Sequence, residues 1–467
     1  MRACPRKPRG LRTLLVLAIG AVVLHLAATA WTAWDLHRAD EDLVAHHRPM
    51  IPAQVIPVVS DQDNAAFAYT RAMVLLSLDS GAIYTDRNSG KESPAYERID
   101  AMASMDTHSS TPVPTVAASI RTTITMDPAS WTGPMRKDAW TVLAGGDFMR
   151  IRAALLEGAS KPACAFPVAW DEGPNCVLPM LNPLRQLVRL VCCHALLSQE
   201  HGDDQAMHQD FAIAMQMAVH CRQIPLMMAY LVSVSLERNV IEAISVALSH
   251  APLGDMSAVQ QQLSRMVDWP QAARDLDTER VVLGGYFFSA EHAPYYGNLV
   301  MTPLRLFEQA TYSRTMGIGS NALEAGAPMP VVSVPHLAVI TRMLLPALSM
   351  FDASVSRAAR TRAMALTALA LEDWKRTHGA YPTRLADLAP NALAPGILER
   401  IPFVIYSSDT TSWTMVTTAG AMAGHEVPVP ASLADMPSRR TPPSSPVYAW
   451  HSAAGPVGAN LPASSKP

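Results

Sequence analysis

An uncharged apolar run of 22 residues, from Thr13 to Trp34, constrains this chain more than any other feature of its sequence. A helix of that length extends about 33 Å at about 1.5 Å per residue, which matches the roughly 30 Å hydrocarbon core of a bilayer. The preceding segment, 1–12, is basic and contains no acid. Trp31 and Trp34 stand at the far end, where indole rings favour the membrane–water interface. The pattern predicts a transmembrane anchor over residues 13–34.

The charge asymmetry around this run predicts its orientation. Because positive flanks stay on the cytoplasmic side, residues 1–12 are expected in the cytoplasm, and everything after Trp34 in the periplasm of a bacterium with a single-pass inner-membrane protein. The alternative is a cleaved signal peptide, since Ala28-Thr29-Ala30 fits a small-residue cleavage site and the domain would then be secreted after cleavage near Ala30. Both interpretations place the domain outside the cytoplasm.

The rest of the chain can bury a large core but carries little surface charge. Apolar residues make up 49% of the sequence and charged residues 16%, against a usual charged fraction of about 25%. Such a low fraction is typical of a surface that meets a membrane or a protein partner, although alanine-rich helices lower it equally. The net charge of -3, with no basic stripe beyond the first dozen residues, argues against a nucleic-acid partner.

Proline, glycine and apolar spacing divide the chain into segments. Asn182-Pro183 begins a helix whose apolar face repeats at i, i+3, i+4 and i+7, and further helices follow with short connections. Short connections predict antiparallel neighbours, so the fold is expected to be mainly α, with stacked helical hairpins. The predicted segments are a juxtamembrane helix followed by a Pro-broken juxtamembrane linker (35–60), an extracytoplasmic helical domain (61–350) with loops and short helices over 79–135, a long helix plus small sheet (351–420) and a disordered, Pro- and Ser-rich tail (437–467).

Two helices are predicted towards the C-terminus, one beginning near Pro335 and a separate, longer one after Asp352. Gly379 is expected to end the longer helix in a left-handed conformation. Two short runs rich in β-branched and aromatic residues, 403–406 and 413–416, then predict a small β-hairpin.

The end of the long helix carries a recognisable motif, HGAYPTRLADL at 378–388. It resembles the HGxYPxxLxxL stretch that follows the long helix in pseudopilin-like domains of type II secretion systems, where a small antiparallel sheet comes next. Gly379 stops the helix, Tyr381 packs back on it, and Pro382 redirects the chain. In pseudopilins that helix is the N-terminal membrane helix behind a prepilin cleavage site. Here the helix is internal and no such site precedes the N-terminal run, so the resemblance does not extend to pilin assembly.

A broader resemblance involves four short motifs together with that module: DNAA at 63–66, CAFP at 164–167, LRQLVRL at 184–190 and HGD at 201–203. Together they resemble a family of bacterial, membrane-anchored, mostly helical envelope proteins that end in the same module. This chain departs from the family pattern around 400–402, where the turn before the last strands is shortened. The resemblance implies an anchored helical envelope protein and no particular activity.

Cysteine usage predicts one disulfide bond. Cys164 and Cys176 lie twelve residues apart in a segment rich in Pro and Gly, and an extracytoplasmic compartment favours oxidation. A bond between them would contribute about 2–3 kcal/mol. The remaining cysteines beyond the anchor occur on apolar helices and are interpreted as buried thiols, with a bridge to Cys221 as the alternative; they are Cys192, Cys193 and Cys221.

Three acids within apolar helices are the candidate catalytic residues: Glu237, Asp275 and Glu279. Two carboxylates that face each other across a cleft can act as general acid and base. The alternative is structural ion pairing with neighbouring cations, here Arg238, Arg274 and Arg280.

No metal or cofactor is predicted. The sequence contains no H-E-x-x-H, Walker loop or G-x-S-x-G motif, and the four histidines of one hairpin (His194, His201, His208 and His220) do not have spacings that bring three ligands together.

Two functions from different classes follow from these features. The first is a membrane-anchored periplasmic helical scaffold with a protein partner in the envelope. The second is a periplasmic hydrolase or lyase that acts on an envelope polymer through paired carboxylates. Convergence of Glu237, Asp275 and Glu279 in an open pocket would favour the enzyme, and a broad exposed apolar surface would favour the scaffold.

Overall fold

The computed structural model of this chain describes residues 9–76, 133–176, 178–266, 268–289, 299–389, 393, 397–401, 404–408, 412–418 and 447–452. Most of three predicted regions lies outside those residues: the cytoplasmic N-terminus, the loops over 79–135 and the C-terminal tail. Within the described ranges the chain is mainly α-helical, with an N-terminal apolar helix and a small antiparallel sheet near the C-terminus, as the sequence predicts.

Short turns join the consecutive helices between residues 181 and 287. The helices in chain order are α1 (Arg9–Ala45), α2 (Ala66–Leu76), α3 (Gly133–Leu143), α4 (Gly146–Ala159), α5 (Leu181–Glu200), α6 (Asp204–Arg222), α7 (Met227–His250), α8 (Ser257–Arg265), α9 (Asp268–Phe287), α10 (Thr302–Glu324) and α11 (Val339–His378). Short 3₁₀ helices occupy several connections: Pro52–Gln54, Trp170–Asn175, Leu299–Met301, Leu385–Leu388 and Leu398–Arg400.

Helices α5, α6 and α7 pack side by side and form the centre of the predicted stack of hairpins. Their boundaries follow local chemistry. Asp203 caps α6, because its carboxylate accepts a hydrogen bond of 2.9 Å from the backbone N–H of Ala206. Gly202 immediately before it has φ of 77°, a left-handed conformation that glycine adopts without strain. The helices lie against one main core, which the second half of α11 completes.

The second half of α11 is buried on all sides. Every residue from 362 to 372 is buried, and most are alanine or leucine. A helix that is apolar around its whole circumference belongs in the middle of a packed domain. This stretch therefore forms the axis against which the hairpins and the C-terminal sheet pack.

Helix α11 differs from the prediction of two separate helices, because it runs without interruption from Val339 through Pro346 to His378. Proline removes one backbone hydrogen bond within a helix, here the bond to the carbonyl of Arg342. Both residues are exposed, whereas Leu348 and Phe351 on the other face are buried. Packing on the buried face keeps the helix continuous across the proline.

Helix α1 continues beyond residue 34. The first part of the segment 35–60, where a juxtamembrane helix is predicted, extends the N-terminal apolar helix as far as Ala45, and the segment packs on the domain with Leu43 and Val55 buried. Two helices of the described residues, in the ranges Thr13–Ala45 and Val339–His378, are long and apolar enough to cross a membrane, by length and composition.

The C-terminal sheet contains the predicted hairpin, β1 (Val404–Ser408) and β2 (Trp413–Thr418), and a third strand, β3 (Val447–His451), in the order β1-β2-β3. Both pairs are antiparallel, and Met415 pairs with Tyr406 on one side and with Trp450 on the other. The prediction of a wholly disordered tail is therefore wrong at β3. Valine, tyrosine and tryptophan favour strands, and this short apolar run is hidden within a Pro- and Ser-rich composition.

The turn after α11 begins at the left-handed glycine that the sequence predicts. Gly379 ends the helix with φ of 77°, and the Tyr381 hydroxyl donates a 2.8 Å hydrogen bond back to Glu372 in the helix. The indole N–H of Trp413, at the start of β2, donates to the same carboxylate oxygen at 2.8 Å. One buried carboxylate thus joins the helix, the turn and the sheet.

Candidate functional site

The three candidate acids lie on two helices and in three different environments. Glu237 is on α7, whereas Asp275 and Glu279 are one turn apart on α9. The carboxyl groups of the three acids have different hydrogen-bond partners.

Glu237 belongs to a buried network of four charged side chains. Arg362 donates to both of its carboxylate oxygens, at 2.7 Å each, and Arg222 donates to Oε2 at 3.1 Å. The same two arginines bind Asp268, Arg362 at 2.7 Å and Arg222 at 3.1 Å. Two positive and two negative charges balance, so the network is neutral. Hereafter Arg222, Glu237, Asp268 and Arg362 are called the ion network.

This arrangement gives Glu237 a structural role. The residue is only 2% exposed, and both of its carboxylate oxygens accept hydrogen bonds from arginine. Burial by itself would lower the pKa of Arg362, but the carboxylates of Glu237 and Asp268 outweigh burial and raise it above its ordinary value. The predicted ion pairing of Glu237 is therefore present, although its partners differ from Arg238, which forms a surface pair with Glu242 at 3.0 Å.

Asp275 is a buried acid near Arg222 and Arg274, whose positive charges lower its pKa less than burial raises it. It is 0% exposed and accepts one hydrogen bond of 2.8 Å, from the side chain of Gln271. Among the residues that the structure describes, its Oδ2 atom has no hydrogen-bond partner. Burial raises its pKa well above the ordinary value, which favours the protonated, uncharged form. Asp275 does not line a cavity with Glu279.

Glu279 is the one acid of the three that borders a cavity. The cavity has a volume of about 420 Å³ and lies between the 3₁₀ helix Trp170–Asn175 and α9, with Leu226 and Met228 from the start of α7 on its wall. Its lining is mainly apolar. The Glu279 carboxylate accepts a hydrogen bond of 3.2 Å from the backbone N–H of Met227, and burial raises its pKa to about 7.

A glycine makes the cavity wall possible. Gly173 has φ of 55° and approaches α9 so closely that a Cβ atom there would lie 2.5 Å from the Cβ atom of Tyr286. No other residue fits this position, because the conformation is strained for L-residues and the space is already filled. The close approach holds the 3₁₀ helix against α9 and forms the side of the cavity opposite α7.

The cavity has limited chemical capacity. A carboxyl group with a pKa near 7 is suited to accept or donate a proton, or to bind a polar group of an otherwise apolar molecule. Cys176 also borders the cavity, but burial, with further contributions from Glu172 and Glu279, raises its pKa to about 11. Such a thiol is a weak nucleophile at neutral pH. Glu279 is thus the only candidate acid of the sequence with access to this space.

The disulfide predicted between Cys164 and Cys176 is not formed, and both residues are free thiols. Cys164 is buried in the core, where its backbone N–H donates to the side chain of Gln223 at 2.7 Å. The chain then continues into the 3₁₀ helix that Gly173 fixes against α9, which carries Cys176 to the cavity. Tertiary contacts hold the two ends of this short segment in different places. Cys192, Cys193 and Cys221 are buried on their helices, and none of the three forms a disulfide bond.

The four histidines of the α5–α6 hairpin have separate structural partners. His194 contacts Asp210, which also accepts a 2.6 Å hydrogen bond from Arg152. His220 and the Tyr69 hydroxyl are 2.7 Å apart. His201 bonds the carbonyl of Leu197, and His208 bonds that of Leu253. In the part of the chain that the structure describes, no three ligating side chains converge on a metal-sized space.

The ion network and the Arg152–Asp210 pair were missed from the sequence. Arg152 and Asp210 are 58 residues apart, and Arg362 and Glu237 are 125 residues apart. Spacing along the chain therefore gives no signal for these pairs. One signal was available, since Arg362 interrupts an otherwise alanine- and leucine-rich helical stretch. A charge in such a position requires a buried partner.

Changing Glu279 to glutamine tests the electrostatics of the cavity. Because the pKa of Glu279 is about 7 in the folded state, above its ordinary value of 4.5, its contribution to stability is fully present below about pH 4.5 and is lost as pH rises through 7. Glutamine keeps an acceptor for the Met227 N–H and cannot ionise. At pH 8 the Glu279→Gln variant is expected to be more stable than the wild type by about 1–3 kcal/mol, and at pH 5 the gain disappears.

The measurement is urea denaturation of the detergent-solubilised chain at several pH values. Glu242→Gln is the control, because Glu242 is exposed and forms a surface ion pair with Arg238 at 3.0 Å. A gain of equal size at pH 5 and pH 8 for Glu279→Gln would show that the carboxyl does not titrate in this range.

Comparison with known proteins gives no match to a family model, a curated protein or a solved structure. The resemblances to pseudopilin-like domains and to anchored envelope proteins therefore remain expectations from the motifs quoted above.

Proposed function

We propose that this chain is a single-pass inner-membrane scaffold of the bacterial envelope, which holds its helical domain in the periplasm and presents it to a protein partner. The observation that carries this proposal is the junction between α1 and α10. The apolar anchor helix enters the domain without a break and is fixed there by packing and by charged contacts.

The junction has three levels along the two helices. Nearest the apolar run, Arg314 of α10 donates to the carboxylate of Asp35 at 2.6 Å. Next, the side chain of Leu43 fills the space above Gly317, where a Cβ atom would lie 2.7 Å from Leu43 Cδ2. Small residues let helices approach this closely. The contact therefore depends on glycine at position 317.

Arg48 forms the third level, just after α1 ends. Its guanidinium donates to Asn321 at 2.9 Å and to Asp277 at 3.1 Å, and it also pairs with Glu324. The side chain is 8% exposed, so these charge-assisted bonds are partly shielded from water. Arg48 thus ties the end of the anchor helix to both α9 and α10.

A fixed anchor is what a scaffold requires. A flexible linker would leave the domain free to rotate above the membrane, whereas a continuous, packed helix sets its height and orientation. The low charged fraction of 16% also fits a surface that meets other molecules. These features support the role of a domain that is held at a fixed position and presents a surface to a partner, rather than that of a domain that moves freely on a flexible linker.

The alternative is a periplasmic hydrolase or lyase that acts on an envelope polymer through paired carboxylates. Glu279 favours it, because this residue lines a cavity and has a pKa of about 7. Against it, Glu237 is neutralised in the ion network and Asp275 does not face the cavity. Among the described residues no second acid lines the cavity, so the pair that this mechanism needs is not assembled.

In-cell crosslinking of the tagged full chain, followed by detergent extraction and mass spectrometry, tests the proposal. One envelope protein recovered at near-equal amount is expected. Recovery should fall for Arg48→Ala, which loosens the junction, and should be unchanged for Arg71→Ala, whose partner Glu157 lies away from α1. Recovery of lipid and background proteins alone would overturn the scaffold proposal and make Glu279→Ala the next variant to assay.

A reporter fusion tests the orientation separately. Alkaline phosphatase joined to the C-terminus is expected to be active, because the enzyme folds only where disulfides form. An inactive fusion would place the domain in the cytoplasm. The size of the fusion distinguishes a retained anchor from cleavage near Ala30.

A further inference from the structure

Large apolar side chains are exposed just before α10 and on the first turns of α11. Leu299, 76% exposed, and Val300 lie in the 3₁₀ helix before α10. Met343, 75% exposed, lies on the first turns of α11 with Val339 and Met350 on either side. These five residues, Leu299, Val300, Val339, Met343 and Met350, are called the apolar face below.

The part of the apolar face on α11 is a continuous helical stripe. Positions 339, 343, 346, 347 and 350 follow i, i+4, i+7, i+8 and i+11 spacing, which places them on one side of the helix. Their residues are valine, methionine, proline, alanine and methionine, and all are exposed. Arg342 is the one charged residue between 339 and 351. An exposed stripe of this composition is unfavourable in water.

The direction of α10 relates this face to the anchor. The contacts Asp35–Arg314, Leu43–Gly317 and Arg48–Asn321 rise together in residue number along both helices, so α1 and α10 run parallel. The N-terminal end of α10 therefore points back towards the apolar run of α1. The 3₁₀ helix with Leu299 and Val300 immediately precedes that end.

One contact shows where α11 begins along the length of α10, and hence of α1. The carboxylate of Glu308 on α10 accepts a hydrogen bond from the backbone N–H of Ile340, the second residue of α11. Glu308 lies six residues before Arg314, which is about 9 Å closer to the apolar run at about 1.5 Å per residue. The first turn of α11 is thus level with α1 residues on the membrane side of Trp34.

We infer that the apolar face lies in the outer part of the bilayer and contacts lipid, so that the domain is partly immersed beside its own anchor. This inference rests on the proposed insertion of α1 in a membrane. Near the level where α11 begins, α1 also exposes large apolar side chains, such as Leu26, and the face begins below the level of the interfacial tryptophans. Arg342, on an exposed position beside the stripe, can extend its guanidinium towards the head groups.

Spin labels on the full chain in lipid nanodiscs test this inference. Cys4 and Cys176 are changed to serine, because the other thiols are buried. Single cysteines are then introduced as Met343→Cys, Arg357→Cys and Leu17→Cys. Position 357 is exposed on the same helix and serves as the matched control, whereas position 17 reports insertion of α1. Collision rates with oxygen, which partitions into lipid, and with a water-soluble nickel chelate are measured for each label.

The label at position 343 is expected to resemble that at position 17, with high oxygen and low nickel accessibility, and the label at 357 to show several-fold higher nickel accessibility. Nickel accessibility at 343 equal to that at 357, with position 17 in lipid, would overturn the inference and leave the anchor intact. Low accessibility to both agents at 343 would mean that protein covers the face, which also overturns it. Water exposure at position 17 would instead overturn the proposed anchoring.

Discussion

Replacing Arg362 by alanine is expected to lower the free energy of unfolding by about 3–5 kcal/mol, because removal of one partner from a buried ion pair leaves the other charge uncompensated. Arg362 makes four hydrogen bonds, three to the carboxylates of Glu237 and Asp268 and one to the backbone carbonyl of Met266. In the variant only Arg222 would remain to balance two buried carboxylates. Urea denaturation of the detergent-solubilised chain, followed by tryptophan fluorescence, measures the change.

Arg357→Ala is the matched control for this variant. Arg357 lies on the same helix but is exposed, so its replacement is expected to change stability by no more than about 0.5 kcal/mol. Arg362→Lys should be intermediate, since an ammonium keeps the charge but cannot bind two carboxylates with a planar fork. Equal stability of Arg362→Ala and Arg357→Ala would contradict the assignment of a structural ion network.

The ion network also predicts how stability depends on pH. Burial by itself would raise the pKa of Asp268, but the charges of Arg362 and Arg222 outweigh burial and lower it below 3.8. A carboxylate whose pKa is lowered in the folded state stabilises the protein at pH values above its unfolded-state pKa. This contribution is lost as the pH falls through the folded-state pKa. Acid destabilisation below about pH 4 should therefore be weaker in Arg362→Ala than in the wild type.

Local rules predicted much of this fold. The apolar spacing after Asn182, the cap at Asp203 and the left-handed Gly379 are features that a few neighbouring residues determine, and the structure contains the corresponding helices and ends. The continuity of α11 through Pro346 was not predictable in the same way. It depends on burial of Phe351 against Tyr230, which lies far away in the sequence, with ring centroids 5.2 Å apart.

At the candidate site, too, some features depend on neighbouring residues and others on contacts between distant segments. An acid within an apolar helix is visible in the sequence, and Glu279 does line a cavity. The cavity itself is made by a segment more than 100 residues earlier, held in place by the contact of Gly173 with Tyr286. Pairings across such distances leave no periodic signal in one sequence. For this reason the sequence suggests one site for Glu237, Asp275 and Glu279, whereas the fold gives their carboxyl groups different surroundings.

The Trp413→Ala variant is expected to lose about 3–5 kcal/mol of stability, an effect comparable to that of Arg362→Ala but located at the C-terminal sheet. Trp413 is among the largest fully buried side chains, and its indole N–H donates to Glu372 at 2.8 Å. Alanine would leave a large cavity between β2 and α11 and remove one of the two donors to this carboxylate. The other donor, Tyr381, would remain.

Trp413→Phe separates packing from hydrogen bonding. Phenylalanine fills most of the space but cannot donate to Glu372, so a smaller loss of about 1–3 kcal/mol is expected. Hydrogen exchange locates the effect: faster exchange should appear in β1, β2 and the last turns of α11, while α5 to α7 stay protected, because the tryptophan joins the sheet to one end of the helical core. Faster exchange across α5 to α7 as well would mean that the sheet and the hairpins unfold as one unit, and that the sheet supports the whole helical domain.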